Sequence, residues 1–95
     1  MIVVITRNVP EKFRGFLASC MLEITPAVYA NPSMTKGVRE RTWNVLSKWF
    51  AEIEDASIVM IYKENTEPSG IGVLYLGEPP RRIIDADGVA LSYLG

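Results

Sequence analysis

Apolar residues in this chain come in blocks, and the spacing inside each block differs. Ile2-Val3-Val4-Ile5-Thr6 is a continuous β-branched run, the pattern of a buried central strand. Asn8-Val9-Pro10 ends it and opens a helix, with Pro10 suited to the first turn because its missing N–H would have no intrahelical acceptor. Phe13, Phe16, Leu17, Cys20, Met21 and Ile24 then recur at spacings of three and four, one stripe of a helix that Thr25-Pro26 stops. Residues 27–30 read as a short strand and Asn31-Pro32-Ser33 as a break. A second helix is predicted over residues 35–53, with Val38, Thr42, Val45, Leu46, Trp49, Phe50 and Ile53 on its apolar face and Trp43 at the margin. Residues 57–62 and 71–76 read as two strands of a hairpin across a turn at 64–70. After Gly77-Glu78-Pro79-Pro80 come Ile83-Ile84, a turn at residues 85–88 and an extended piece at 89–94. The order β-α-β-α-β-β with an extended tail predicts one α+β domain over residues 1–95, two helices on one face of an antiparallel sheet.

Composition narrows this picture. A chain of 95 residues is marginal as a lone domain, and 48% hydrophobic against 22% charged residues excludes disorder and favours association. The longest apolar stretch, residues 58–62, is far too short to span a membrane, so no membrane partner is expected. The first residues lack the basic segment and cleavage site of a signal peptide, and the single cysteine cannot form an internal disulfide; a cytoplasmic location is the expectation. Cys20 falls inside the apolar stripe and reads as a core residue, not a nucleophile. The absence of histidine removes Ser-His-Asp and Cys-His chemistry and any His/Cys zinc cage. Only carboxylates, lysines, tyrosines or an oxygen-held hard cation could do catalytic work.

Net charge is −1, but residues 1–50 carry seven basic and three acidic side chains, and residues 51–95 carry three basic and eight acidic. Such asymmetry is a hint of interaction surfaces of opposite sign, or simply of two solvated faces. Asp85-x-Asp87-Gly88 has oxygens for Mg²⁺, yet the same sequence makes an ordinary turn, and that reading is preferred. Arg81-Arg82 after two prolines is a stiffened pair of cations suited to phosphate.

An ordered set of segments carries a family resemblance: Ile5-Thr6-Arg7-Asn8-Val9-Pro10, Arg14-Gly15-x-Leu17, Leu22-Glu23-Ile24-x-Pro26-x-Val28-Tyr29, Arg39-Glu40 with Trp43, Asn65-Thr66-Glu67, Gly77-Glu78 and Asp85-x-Asp87-Gly88-Val89. Nearly the whole chain resembles the small "Cas-two" adaptation subunit of type I-E CRISPR systems. The resemblance implies a ferredoxin-like fold and a two-fold homodimer. It also implies a place between two dimers of the CRISPR integrase, with double-stranded protospacer DNA lying across the assembly. Between the two helices the predicted strands are one short of the β-α-β-β-α-β pattern that such a fold requires.

Residue by residue, the resemblance places Lys12 and Arg14 at the family's phosphate-contacting pair on the first helix and Arg81 in its basic loop, with Arg82 and Arg7 as further DNA-binding candidates. Glu67 and Asp87 match acidic residues that pair with integrase arginines, and Asp85 joins them. A tail at 83–95, with Val89 and Leu91 in its extended piece, is the expected partner-docking segment. The family's metal-binding carboxylate after the first strand is Arg7 here, and an arginine repels Mg²⁺. Two functions follow: a structural DNA-binding subunit of spacer acquisition with no catalytic residue, metal or cofactor, or a Mg²⁺-dependent endonuclease acting on RNA or duplex DNA. The first is preferred.

Overall fold

A computed structural model describes residues 1–77 in full, together with the backbone of residues 82–86 and 89–93. The elements run β1 (Ile2–Arg7), α1 (Glu11–Cys20), β2 (Leu22–Thr25), β3 (Val28–Asn31), α2 (Lys36–Phe50), β4 (Ser57–Lys63), β5 (Ile71–Leu76), β6 (Arg82–Ala86) and β7 (Val89–Tyr93). The first five strands form one sheet in the order β2-β3-β1-β4-β5, every neighbour antiparallel. Because β3 is antiparallel to both β1 and β2, the last two point the same way, with α1 crossing between them. The same holds for β3 and β4 around β1 through α2. These are the two interlocked split βαβ units of a ferredoxin-like α+β fold, extended by β5 at one edge.

The strand missing from the sequence reading is β2. Residues 21–25 were expected to continue α1, but the helix stops at Cys20 and Met21 turns extended (φ −140°, ψ 164°). Residues 22–25 pair with β3 instead, and the side-chain amide of Asn31 donates to the Cys20 carbonyl at 2.9 Å, satisfying one of the carbonyls left open at the helix end. Leu22 and Ile24, each 64% exposed, lie on a strand paired with β3 and are not part of a helical core stripe. Pro26 and Ala27 make the β2–β3 turn, Ala27 at φ 73°. That strain is held in place by Thr6, whose amide and hydroxyl both donate to the Ala27 carbonyl, at 2.8 and 3.3 Å.

α2 is also shorter than expected. Thr35 is its N-cap, accepting from the Val38 amide at 3.3 Å, and the helix ends at Phe50 with Ile53 half-buried beyond it. α1 lays Phe13 and Leu17, and α2 lays Thr42 and Leu46, on a sheet face made by Val4, Tyr29, Ile58 and Met60. Thr42 is tolerated there because its hydroxyl donates to the Val38 carbonyl at 2.8 Å. Edge-on contacts of Trp49 with Phe13 (5.5 Å) and Phe16 (5.4 Å) join the two helices. Trp43, too, packs against the core.

The helix-free face carries two apolar rows, Leu22–Ala30–Val3–Ile61–Val73 and Val28–Ile5–Val59–Tyr75. β6 and β7 form a separate two-stranded sheet, Arg82 opposite Tyr93 through Ala86 opposite Val89. The expected extended piece is seen as a strand over Val89–Tyr93, with one edge occupied by β6, which takes in Arg82 from the expected loop and Asp85 from the expected turn.

The β2 assignment separates two substitutions that helix periodicity would treat alike. Leu17→Ala is expected to cost about 2–5 kcal/mol in chemical denaturation. Ile24→Asn is expected to cost less than about 1 kcal/mol, because the side chain is in solvent.

Candidate nucleic-acid interface

Three of the five candidate DNA-binding residues lie in the fully described part of the chain, and two of them mark one end of the sheet. β1 ends at Arg7, α1 starts just beyond it, and β4 begins at Ser57 opposite Arg7. The connections here need two residues with positive φ, and the sequence supplies types that tolerate it: Asn8 (φ 55°) and Asp55 (φ 52°). The two loops are tied by the Asn8 side-chain amide, which donates to the Asp55 carbonyl at 2.7 Å. Arg7 projects past this junction, its Nε donating to Ser57 Oγ at 3.2 Å and a terminal nitrogen 3.9 Å from an Asp55 carboxylate oxygen.

Lys12 and Arg14 sit two apart on α1, so they leave the helix in different directions. Lys12 crosses toward α2 and places its ammonium 4.4 Å from the centre of the Trp49 ring, a cation–π contact that leaves the residue exposed. Arg14 goes the other way. It lies 3.8 Å from Glu11 in an exposed pair and lines a shallow cleft with Glu23 and Tyr29. Tyr29 is wholly buried, and no hydrogen-bond partner reaches its hydroxyl among the described residues. Burial first, and Glu23 second, push its pKa up, while the positive charge of Arg14 opposes them. The expected basic pair is thus two separate cations flanking the exposed ridge of α1.

Arg82 and Asp85 are placed as backbone in β6, Val89 and Leu91 as backbone in β7, and Arg81 and Asp87 lie outside the described residues. Glu67 is exposed on the loop joining β4 and β5, where its amide donates to Glu64 and its carbonyl accepts from Gly70. That loop adjoins Lys63 and Ile71, so Glu67 is at the opposite end of the sheet from Arg7. The Cys20 thiol is raised by burial, which keeps it in the unreactive protonated form.

Whether the end of β1 suits Mg²⁺ can be judged from its donors. Among the described residues Asp55 is the carboxylate paired with Arg7, and the guanidinium beside it supplies the positive charge a cation would bring. Among the described residues no group of three or more Asp, Glu, Cys or His side chains is placed to hold a metal. The end of β1 thus offers a cation one carboxylate among the described residues, and that carboxylate already has an arginine beside it.

Sequence reasoning missed Asp55, the partner of Arg7, and Trp49 as the platform under Lys12. It also passed over Lys36, Arg39 and Lys63, which share a cleft with Tyr62 at the far end of β1. The i, i+3 spacing of Lys36 and Arg39 was a signal in plain view; that Lys63 joins them depends on strand register.

A model of the CRISPR-associated protein family (Cas_Cas2CT1978) matches residues 1–91. No described helix is long and apolar enough to cross a membrane.

The Arg7–Asp55 pair is long and sits in solvent, with side chains 49% and 87% exposed. A double-mutant cycle of Arg7→Ala and Asp55→Ala is expected to give a coupling below about 1 kcal/mol, leaving Arg7 available to another anion.

Proposed function

The chain belongs to the CRISPR-associated protein family matched over its residues 1–91, and we propose on that footing that it is a structural, DNA-binding subunit of spacer acquisition, not a nuclease. The observation that carries this choice is the Arg7–Asp55 pair at the end of β1. A metal-dependent nuclease needs carboxylates that converge on a cation and bring a phosphate to it. An arginine at the same place meets a phosphate directly, through its own charge and planar fork of donors.

Duplex DNA lies across Arg7, Lys12 and Arg14, with Arg81 and Arg82 as further contacts. These are phosphate contacts, indifferent to base sequence. The active unit is a homodimer. Its interface is the helix-free face of the sheet, where the rows through Val3, Ile61 and Val73 and through Ile5, Val59 and Tyr75 offer a self-complementary apolar surface. A 95-residue chain gains the burial it lacks by covering that face.

The integrase is the second partner, and the β6–β7 hairpin its docking element. Two strands alone are marginal in water, and among the described residues each has one edge without a backbone partner. Adding that edge to a neighbouring sheet completes it, while Glu67, Asp85 and Asp87 pair with basic groups of the partner to set the register. Val89 and Leu91 supply backbone to that strand.

Binding of a duplex should fall steeply with salt, since each neutralised phosphate releases condensed counterions. Replacing both Lys12 and Arg14 by Gln should weaken binding and flatten the plot of log K against log salt by about one unit for each cation lost from the dimer. The set of sequences bound should not change. Affinity and slope both unaltered in this variant would place the DNA elsewhere.

A further inference from the structure

At the end of β1 opposite Arg7, about 17 Å away along the strand, a second group of cations gathers around a cleft. The cleft has a volume of about 230 Å³ and is bordered by Lys36, Arg39, Tyr62 and Lys63, with Met1, Ile2 and Met34 at its apolar side. Three features set it apart from a solvated basic face.

Its arginine is held rigidly. Tyr62 stands opposite Gly72 in the β4–β5 register, and its ring lies so close over that glycine that a Cβ there would collide with it. The Arg39 guanidinium stacks on the ring, 3.7 Å from its centre. An arginine fixed in this way has already lost most of the side-chain freedom that binding would otherwise remove.

Among the described residues, no direct pair neutralises its charge. Arg7 and Arg14 each have a carboxylate within 4.0 Å, whereas among the described residues Lys36, Arg39 and Lys63 have none. The buried Nε of Arg39 finds no hydrogen-bond acceptor there either. Glu64 is an acid close by. Its pKa is lowered mainly because its carboxylate accepts from the Thr66 amide at 3.3 Å, with smaller help from Arg39 and Lys36. It is thus engaged with its own loop.

Finally, Lys36 is the first residue of the fifteen-residue α2, so the positive end of the helix dipole adds to the three side-chain charges.

We propose that this cleft binds a phosphate group, with Arg39 as the fixed fork and Lys36 and Lys63 closing on the remaining oxygens. The acceptor oxygens of a phosphate group point in several directions and match three cations better than a planar carboxylate does. The site is separate from the Arg7, Lys12 and Arg14 surface and stands or falls independently of the duplex-binding role.

Amide NMR of the whole chain, titrated with inorganic phosphate against chloride at matched ionic strength, tests it. Saturable shifts are expected at residues 36–39 and 62–64 and not at Arg7 or Lys12. Arg39→Gln and, as surface changes that spare the core, Lys36→Gln and Lys63→Gln should each weaken binding about tenfold, the worth of one charge-assisted hydrogen bond. Lys48→Gln, an exposed cation at the far end of α2, should leave it unchanged. A short single-stranded oligonucleotide with and without a 5′-phosphate separates the sources. Tighter binding of the phosphorylated form assigns the cleft to a nucleic-acid end; equal shifts with both assign it to backbone phosphates; shifts with inorganic phosphate alone assign it to a free anion. No saturable shift with any of these, or acetate binding as tightly as phosphate, would overturn the proposal.

Discussion

β1 is hydrogen-bonded along both edges, to β3 on one side and β4 on the other, and its alternate side chains are buried beneath the helices. Both split βαβ units close around it, so every other element of the main sheet takes its position from this six-residue strand. A slip of one residue would turn Ile2, Val4 and Thr6 out of the core and bring Val3, Ile5 and Arg7 in, which the two-residue period of a strand makes prohibitive. Thr6 is the one polar residue on the buried side, and its two hydrogen bonds to Ala27 join the central strand to the β2–β3 turn.

The same strand separates the chemistry of the molecule. At its C-terminal end Arg7 emerges beside the start of α1 and Lys12, and at its N-terminal end Ile2 faces Tyr62, over which Arg39 lies. The two groups of cations differ in kind. Arg7 is loosely paired and exposed, suited to contacts that form and break. Arg39 is stacked and half-buried, suited to a single anion in a fixed place. Glu67 shares the second end, so positive and negative surfaces adjoin there in a way that net charge alone does not reveal.

The central strands were legible because residues 2–6 are all β-branched and residues 57–62 are rich in Ile and Val, side chains that suit a pleated, half-buried surface. β2 was not, because Met21 and Ile24 happen to continue the three-and-four spacing of α1. The contacts that hold these residues as a strand, the pairing with β3 and the bond from Asn31 to the Cys20 carbonyl eleven residues away, are not local ones. A better signal was present: Leu-Glu-Ile-Thr and Val-Tyr-Ala-Asn are two short runs separated by Pro-Ala, which is a hairpin pattern. Individual cations could be picked out from sequence, but their grouping could not. Arg7 meets Asp55 across 48 residues, Lys12 meets Trp49 across 37, and both depend on how the two helices return to the sheet.

The central claim, that the end of β1 holds phosphates and does not cut beside them, is tested most directly by incubating the purified protein with end-labelled duplex DNA and RNA, with Mg²⁺ or with a chelator. Retention of intact duplex, with no Mg²⁺-dependent fragments from either substrate, is the expected result. Mg²⁺-dependent cleavage that persists through stringent purification and is abolished by Asp55→Asn would contradict it, because that carboxylate would then be serving a metal and not Arg7.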